Sequence, residues 1–266
     1  VNRAKGSVSM QSVSLPTSKS TKPENVLEGV TFYHWLVVVV AACGWLFDCM
    51  DQRIFALCRG PSLHEILGAN ASDAAVKAWG GWATATMMIG WATGGIIFGT
   101  LSDRLGRKKT MIVTLLVYSG FTGLSGFAHG PSEFLLYRFL TGIGIGGMFG
   151  AATTLVAESV PGAFRSVALG VLQALSAVGN LIGSIVSTQI QPGHANVAFG
   201  LSGWRVLFFV GVLPALLVVP ILFVLKEPEA WLRSKQNAAG NTQKPRELGS
   251  ISVLLRERRW RRNLLV

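Results

Sequence analysis

The chain has 266 residues, half of them hydrophobic and only 14% charged, with 31 glycines and a mean hydropathy of +0.46. A soluble domain of this size needs more charge than that to cover its surface, so a water-soluble globule is excluded. The formal net charge of +11 does not signal a nucleic-acid partner, because the basic residues cluster between apolar runs long enough to cross a bilayer.

In chain order, residues 1–30 are polar and rich in Ser and Thr, with Arg3, Lys5, Lys19 and Lys22. They are expected to form a disordered cytoplasmic tail. No small-residue cleavage site follows the next apolar run, so the start does not read as a signal peptide. The first run, 33–57, holds Asp48, Asp51 and Arg53, and Cys43, Cys49 and Cys58 lie in or beside it. These thiols have neither CxxC nor metal-ligand spacing and read as small buried residues. The longest outer loop is expected around Pro61 to Lys77. It contains the triplet Asn70-Ala71-Ser72, a glycosylation sequon too common by chance to imply a modification. Five further spans are expected at 79–101, 110–129, 134–157, 167–190 and 204–225, each near the about 20 residues that cross roughly 30 Å of hydrocarbon. The division is therefore a tail at 1–30, an all-α bundle of six transmembrane helices at 31–226, and a cytoplasmic central loop at 227–266.

Nineteen of the 24 Lys and Arg fall in the tail, the Arg104–Lys109 loop, Arg165, and the segment from Lys226 to Arg262. Basic loops stay on the cytoplasmic side, so both ends are expected there and the helix count is even. Small residues recur every four positions: Gly90 and Gly94, Gly95 and Gly99, Gly142, Gly146 and Gly150, and Gly179 and Gly183. In lipid no hydrophobic force draws helices together, so such rows mark close backbone contact. The run Gly142-Ile-Gly144-Ile-Gly146-Gly147 superficially resembles a dinucleotide loop, but no strand precedes it.

A charge near the bilayer centre costs roughly 2.5–3.5 kcal/mol, so Asp48, Asp51 and Arg53 require partners, water or the interface. Asp48 and Asp51 share a helix face. The fourth span runs the opposite way and places Arg138 at matching depth, so an Arg138–carboxylate pair is expected. It serves either as a register-fixing ion pair or as a proton- or substrate-binding site. Arg53 either joins this group or snorkels to the outer interface. On the fifth span Gln173, Ser176, Asn180, Ser184 and Ser187 form one polar face, which suits a cavity wall or a helix contact. No nucleophile–base pair or metal cluster is visible, so neither an enzyme nor a cofactor is expected.

The segment Gly99-Thr-Leu-Ser-Asp103-Arg104-Leu-Gly106-Arg107-Lys108-Lys109 resembles the signature loop of the major facilitator superfamily. Arg138 with Gly142, Gly144 and Gly146 resembles that superfamily's fourth-helix pattern, and Glu158-Ser-Val-Pro-Gly-Ala-Phe-Arg165 its ExxPxxxR element. Lys226-Glu227-Pro-Glu-Ala-Trp231-Leu232 partly resembles its PESPxWL element, with the prolines shifted. The four occur in the superfamily's order over residues 30–233. The resemblance implies twelve helices in two bundles that alternate access around a substrate. This chain would supply the N-terminal bundle, and a second six-helix half would be missing. It also implies that Asp103 meets a helix end of that second half. Arg104, Arg107, Glu158, Arg165 and Glu227 would form a gating cluster, with Gly99 and Gly106 allowing close approach and a sharp turn.

Asp48-Cys-Met-Asp51 is similar to the DGYD-type motif of aromatic-acid and metabolite proton symporters, with Cys and Met at its centre. Ser184 stands where a drug-antiporter motif needs proline. The leading expectation is a transporter of the plasma (inner) membrane that takes up a small organic anion with protons. Asp48 or Asp51 would carry the proton, and Arg138 would tune the carboxylate or meet the anion. A sugar transporter and a non-transporting receptor or assembly module are the alternatives.

Overall fold

A computed structural model describes residues 26–68 and 70–240; most of the expected tail and the expected loop beyond residue 240 lie outside the described residues. The helices are α1 (Phe32–Leu67), α2 (Asp73–Leu105), α3 (Arg107–Ser125), α4 (Pro131–Ser159), α5 (Gly162–Ile190), α6 (Gly203–Val210), α7 (Val218–Val224) and α8 (Glu229–Gly240). A 3₁₀ turn, Leu213–Leu217, joins α6 to α7. Four long helices and the Gly203–Val224 unit are long and apolar enough to cross a membrane. The sixth crossing is α3, whose 19 residues rise about 28 Å. Its lower apolarity comes from Thr110, Thr114, Ser119, Thr122 and Ser125, all buried against neighbouring helices instead of lipid.

Three boundaries differ from expectation. Helix α1 does not stop at residue 57 but continues through Pro61 to Leu67, and α2 already starts at Asp73, so most of the expected long outer loop is helix. The Ser62 hydroxyl, next to Pro61, donates to the Arg59 carbonyl (3.2 Å). The turn before α2 is short, and Ser72 of the sequon caps α2 by accepting from the Ala75 N–H (3.2 Å). The sixth crossing is broken at Gly211, because Pro214 offers no donor to the preceding turn and displaces it. Finally, the expected central loop opens with a helix, α8.

Helices α2, α4, α1 and α5 stand side by side in that order, with α3 and α6 packed behind them. Glycine sets this layer. A Cβ on Gly90 or Gly94 would overlap the backbone of Phe139 or Ile143, and one on Gly142 or Gly146 that of Met87 or Trp91. The seam is thus reciprocal between α2 and α4. Gly179 and Gly183 seat α5 on the Leu46 and Met50 carbonyls of α1 in the same way. By contrast, Gly99 and Gly150 have open space around them within this bundle.

Candidate functional site

Three groups of polar residues stand out against the apolar bundle. The first lies between the two layers. Asp48 and Asp51, three residues apart on α1, face α3 and α6, and both are fully buried, as is Arg138 of α4. Arg138 Nη1 stands 3.9 Å from Asp51 Oδ2. Its Nε and Nη2 donate to Ser125 Oγ (3.1 and 2.6 Å), and Nη2 also donates to Thr141 Oγ1 (3.2 Å). Phe55, Phe134 and Phe208 surround the guanidinium, their ring centres 5.4, 5.9 and 4.7 Å from it. Tyr118 faces Asp48, and Thr122 faces Asp51. A Cβ on Gly211, at the break after α6, would come within 3.0 Å of Asp51 Oδ1. The Tyr118 hydroxyl is directed at Asp48 and that of Thr122 at Asp51, but no contact to the four carboxylate oxygens has full hydrogen-bond geometry among the described residues. The expected Arg138–carboxylate pair thus lies sealed between the two layers. Side-chain direction around α1 turns them inward, onto the hydroxyl row of α3.

The second group is the loop between α2 and α3. Arg107 makes a two-point ion pair with Glu158 of α4 (Nε–Oε2 2.9 Å, Nη2–Oε1 2.8 Å), and its Nη1 reaches Asp103 (3.0 Å) and the Ser102 carbonyl (2.9 Å). Glu227 accepts the backbone N–H groups of Arg107 (2.8 Å), Lys108 (3.3 Å) and Lys109 (3.4 Å), so a carboxylate sits on the positive end of α3. Trp231 donates from its indole to the Asp103 carbonyl (2.8 Å). Gly106 has φ +108°, and a Cβ there would overlap the Glu227 carboxylate, which explains the residue on both counts. Asp103 thus has a partner inside this bundle, while its side chain remains 45% exposed. Arg104 and Arg165 are exposed beside the network.

The third group is on the open face of the front layer. Arg53 lies two residues beyond Asp51, about 200° round α1, and points away from the buried cluster. Its Nε donates to Ser184 Oγ on α5 (2.9 Å). Gln173 and Asn180 are exposed on the same side of α5, and Ser176 is half-buried there. Ser187 of the expected stripe is buried instead.

The residues 54–248 match the model of the family described as "Sugar (and other) transporter". The chain belongs to that family. It is part of the major facilitator superfamily, as the loop and helix motifs imply. A niacin transporter of Acinetobacter baylyi is 33% identical over 199 residues, covering 74% of this chain and 41% of that protein. The cis,cis-muconate transport protein of the same organism is 34% identical over 156 residues, covering 59% of this chain and 36% of that protein. A crystal structure of a D-xylose-proton symporter shares the fold with a TM-score of 0.65 at 24% identity, covering 78% of this chain and 52% of that one. The chain therefore spans about half the length, or less, of the proteins it matches.

Seen as one bundle of a facilitator, the chain holds site residues that the sequence reading did not single out. Tyr118, Ser119, Thr122 and Ser125 complete the buried cluster, and the spacing of these hydroxyls along an otherwise apolar α3 was the available signal. At the end opposite the signature loop, Glu65 receives the Trp204 indole (2.7 Å), the Ser202 hydroxyl and Arg205 (3.3 Å). Arg205 also donates to the Gly126 (2.7 Å) and Ala128 (3.3 Å) carbonyls, tying α1, α6 and the turn after α3 together. No single helix pattern announces that clamp, because its parts lie about 140 residues apart.

Proposed function

We propose that this chain is the N-terminal half of a proton-coupled symporter for a small organic anion. It sits in the inner membrane with both ends cytoplasmic, and a second six-helix half completes the substrate cavity. The observation that carries the reading is the charge count of the buried cluster: two fully buried carboxylates against one guanidinium. With both acids ionised the cluster holds a net negative charge, and burying an uncompensated charge costs several kcal/mol. One proton on Asp48 or Asp51 balances it. Loading and releasing that proton changes how α1 sits against α3 and against the break at Gly211, while Arg138 supplies the fixed countercharge. The glycine seams and the Arg107–Glu158 pair keep the half rigid, which suits a rocking motion against a partner half. Asp103, Arg104, Arg107, Glu158, Arg165, Glu227 and the open position at Gly99 form the surface that this partner meets when the cytoplasmic side closes. The relatives' names support the acid cargo, since niacin and cis,cis-muconate are small carboxylic acids.

The test is Asp51→Asn in the full-length protein in proteoliposomes. Uptake of labelled nicotinate or benzoate driven by a pH gradient is expected to disappear while expression stays intact; undiminished uptake would sink the reading. A sugar cargo is the second reading, favoured by the uncharged polar side chains of Gln173, Ser176 and Asn180 and by the fold shared with the xylose symporter. A substrate panel measured with and without a pH gradient separates the two.

A further inference from the structure

Two arginines on neighbouring helices are candidates to meet an anion, and only one is reachable. Arg138 is fully buried, boxed by three phenylalanines, and donates to Ser125 and Thr141. Arg53 is exposed on the open face of the front layer. Its Nε is committed to Ser184 (2.9 Å), and its Nη1 and Nη2 have no partner among the described residues. That commitment matters chemically, because Nη1 and Nη2 are the end-on fork that grips both oxygens of a carboxylate. Arg59, farther along α1, has its Nη1 engaged by Thr84 of α2 (2.7 Å).

The direction of this face follows from α5. Its exposed Val167, Val178, Leu181 and Ile185 fall on one side, and Gln173, Asn180 and Ser184 fall about 120° away. Lipid takes the apolar side. The polar side, which carries Arg53, is then left for a wet cleft against the second half. Ser184 lies six residues, about 9 Å, before the end of α5, so Arg53 is held across the helix pair and does not reach up to the membrane surface.

We propose that Arg53 is the residue that takes the substrate's carboxylate, with Ser184 fixing its fork and Asn180 and Gln173 contacting the rest of the molecule. This rests on the organic-anion reading above and removes Arg138 from direct contact with cargo. The division of labour is then spatial. The inner face of α1 handles the proton through Asp51 and Asp48, and its outer face, half a turn away, handles the anion. A carboxylate of the second half is the rival partner for Arg53.

The test is counterflow of labelled benzoate, nicotinate and cis,cis-muconate by the full-length protein at equal pH on both sides, with benzamide and nicotinamide as neutral competitors. No proton gradient is needed, so failure of the coupling reading leaves this measurement standing. The wild type is expected to prefer an acid of the panel to its amide. Arg53→Gln should raise KM for that acid roughly ten- to hundredfold and leave inhibition by the amide in place. Arg53→Lys keeps the charge and loses the fork, so it should retain the preference for acid with a smaller rise in KM. Ser184→Ala should raise KM by severalfold. Three results overturn the proposal: no preference for acids in the wild type, an unchanged KM in Arg53→Gln, or equal weakening of acids and amides in Arg53→Lys, which is the signature of a bridge to the second half.

Discussion

The bundle contains two clusters built from the same side-chain chemistry, arginine with carboxylates, and they are arranged in opposite ways. At the signature loop Arg107 is saturated by Glu158, Asp103 and the Ser102 carbonyl, and Glu227 is saturated by three backbone N–H groups. Inside the bundle the Asp48 and Asp51 carboxylates face only the Tyr118 and Thr122 hydroxyls, without full hydrogen-bond geometry among the described residues, and the Arg138 guanidinium stands 3.9 Å from Asp51. A saturated network has one low-energy geometry and holds elements together. An unsaturated buried one is poised to change its protonation or its partners, since its present state is not a deep minimum. The difference separates a fully paired joint from a buried group whose charges are not matched within the bundle.

Acid-to-amide substitutions probe that contrast directly. The largest effect is expected for Asp51→Asn, as total loss of gradient-driven uptake. Next, Glu158→Gln should lower stability by about 1–3 kcal/mol, because it removes a charge-assisted two-point contact. The melting temperature of the purified full-length protein in detergent reads this out, and an unshifted value would place the network among ornamental surface pairs. The same chemical change at Asp48 should have the reverse sign. Asp48→Asn removes a buried carboxylate that faces a second one, and the amide can still meet the Tyr118 hydroxyl, so its melting temperature is expected to equal or exceed the wild type. A marked fall would show that Asp48 is satisfied and that the two clusters are alike. The smallest effect belongs to Glu227→Gln, which keeps one acceptor for Arg107 and Lys108, gives up the long contact to Lys109 and removes the charge on the α3 terminus, a loss of about 0.3–1 kcal/mol.

Much of the architecture was legible from residue pattern because the bilayer constrains it so strongly. Apolar runs of sufficient length located the crossings, and glycine spacing marked α2, α4 and α5 for close backbone contact, while the partners, α2 with α4 and α5 with α1, came from the structure. The same spacing offered Gly99 and Gly150, which meet nothing within this bundle. Helix ends were less legible. Pro61 lies where a loop is expected and is instead carried inside α1, whereas Pro214 lies within an expected span and breaks it.

The amino-acid sequence by itself determined that the chain lives in a membrane, how many times it crosses, and which loop carries the ionic joint. Those properties follow from runs and motifs that are contiguous. Only the tertiary structure decided where each charge points. Asp51 and Arg53 are two residues apart, yet one is sealed against α3 and the other is exposed beside α5, because about 200° of helical turn lies between them and different helices cover the two sides. Tyr118, Thr122, Phe208 and Gly211 complete the buried cluster from positions far along the chain. Their contribution arises from packing, which no local pattern encodes.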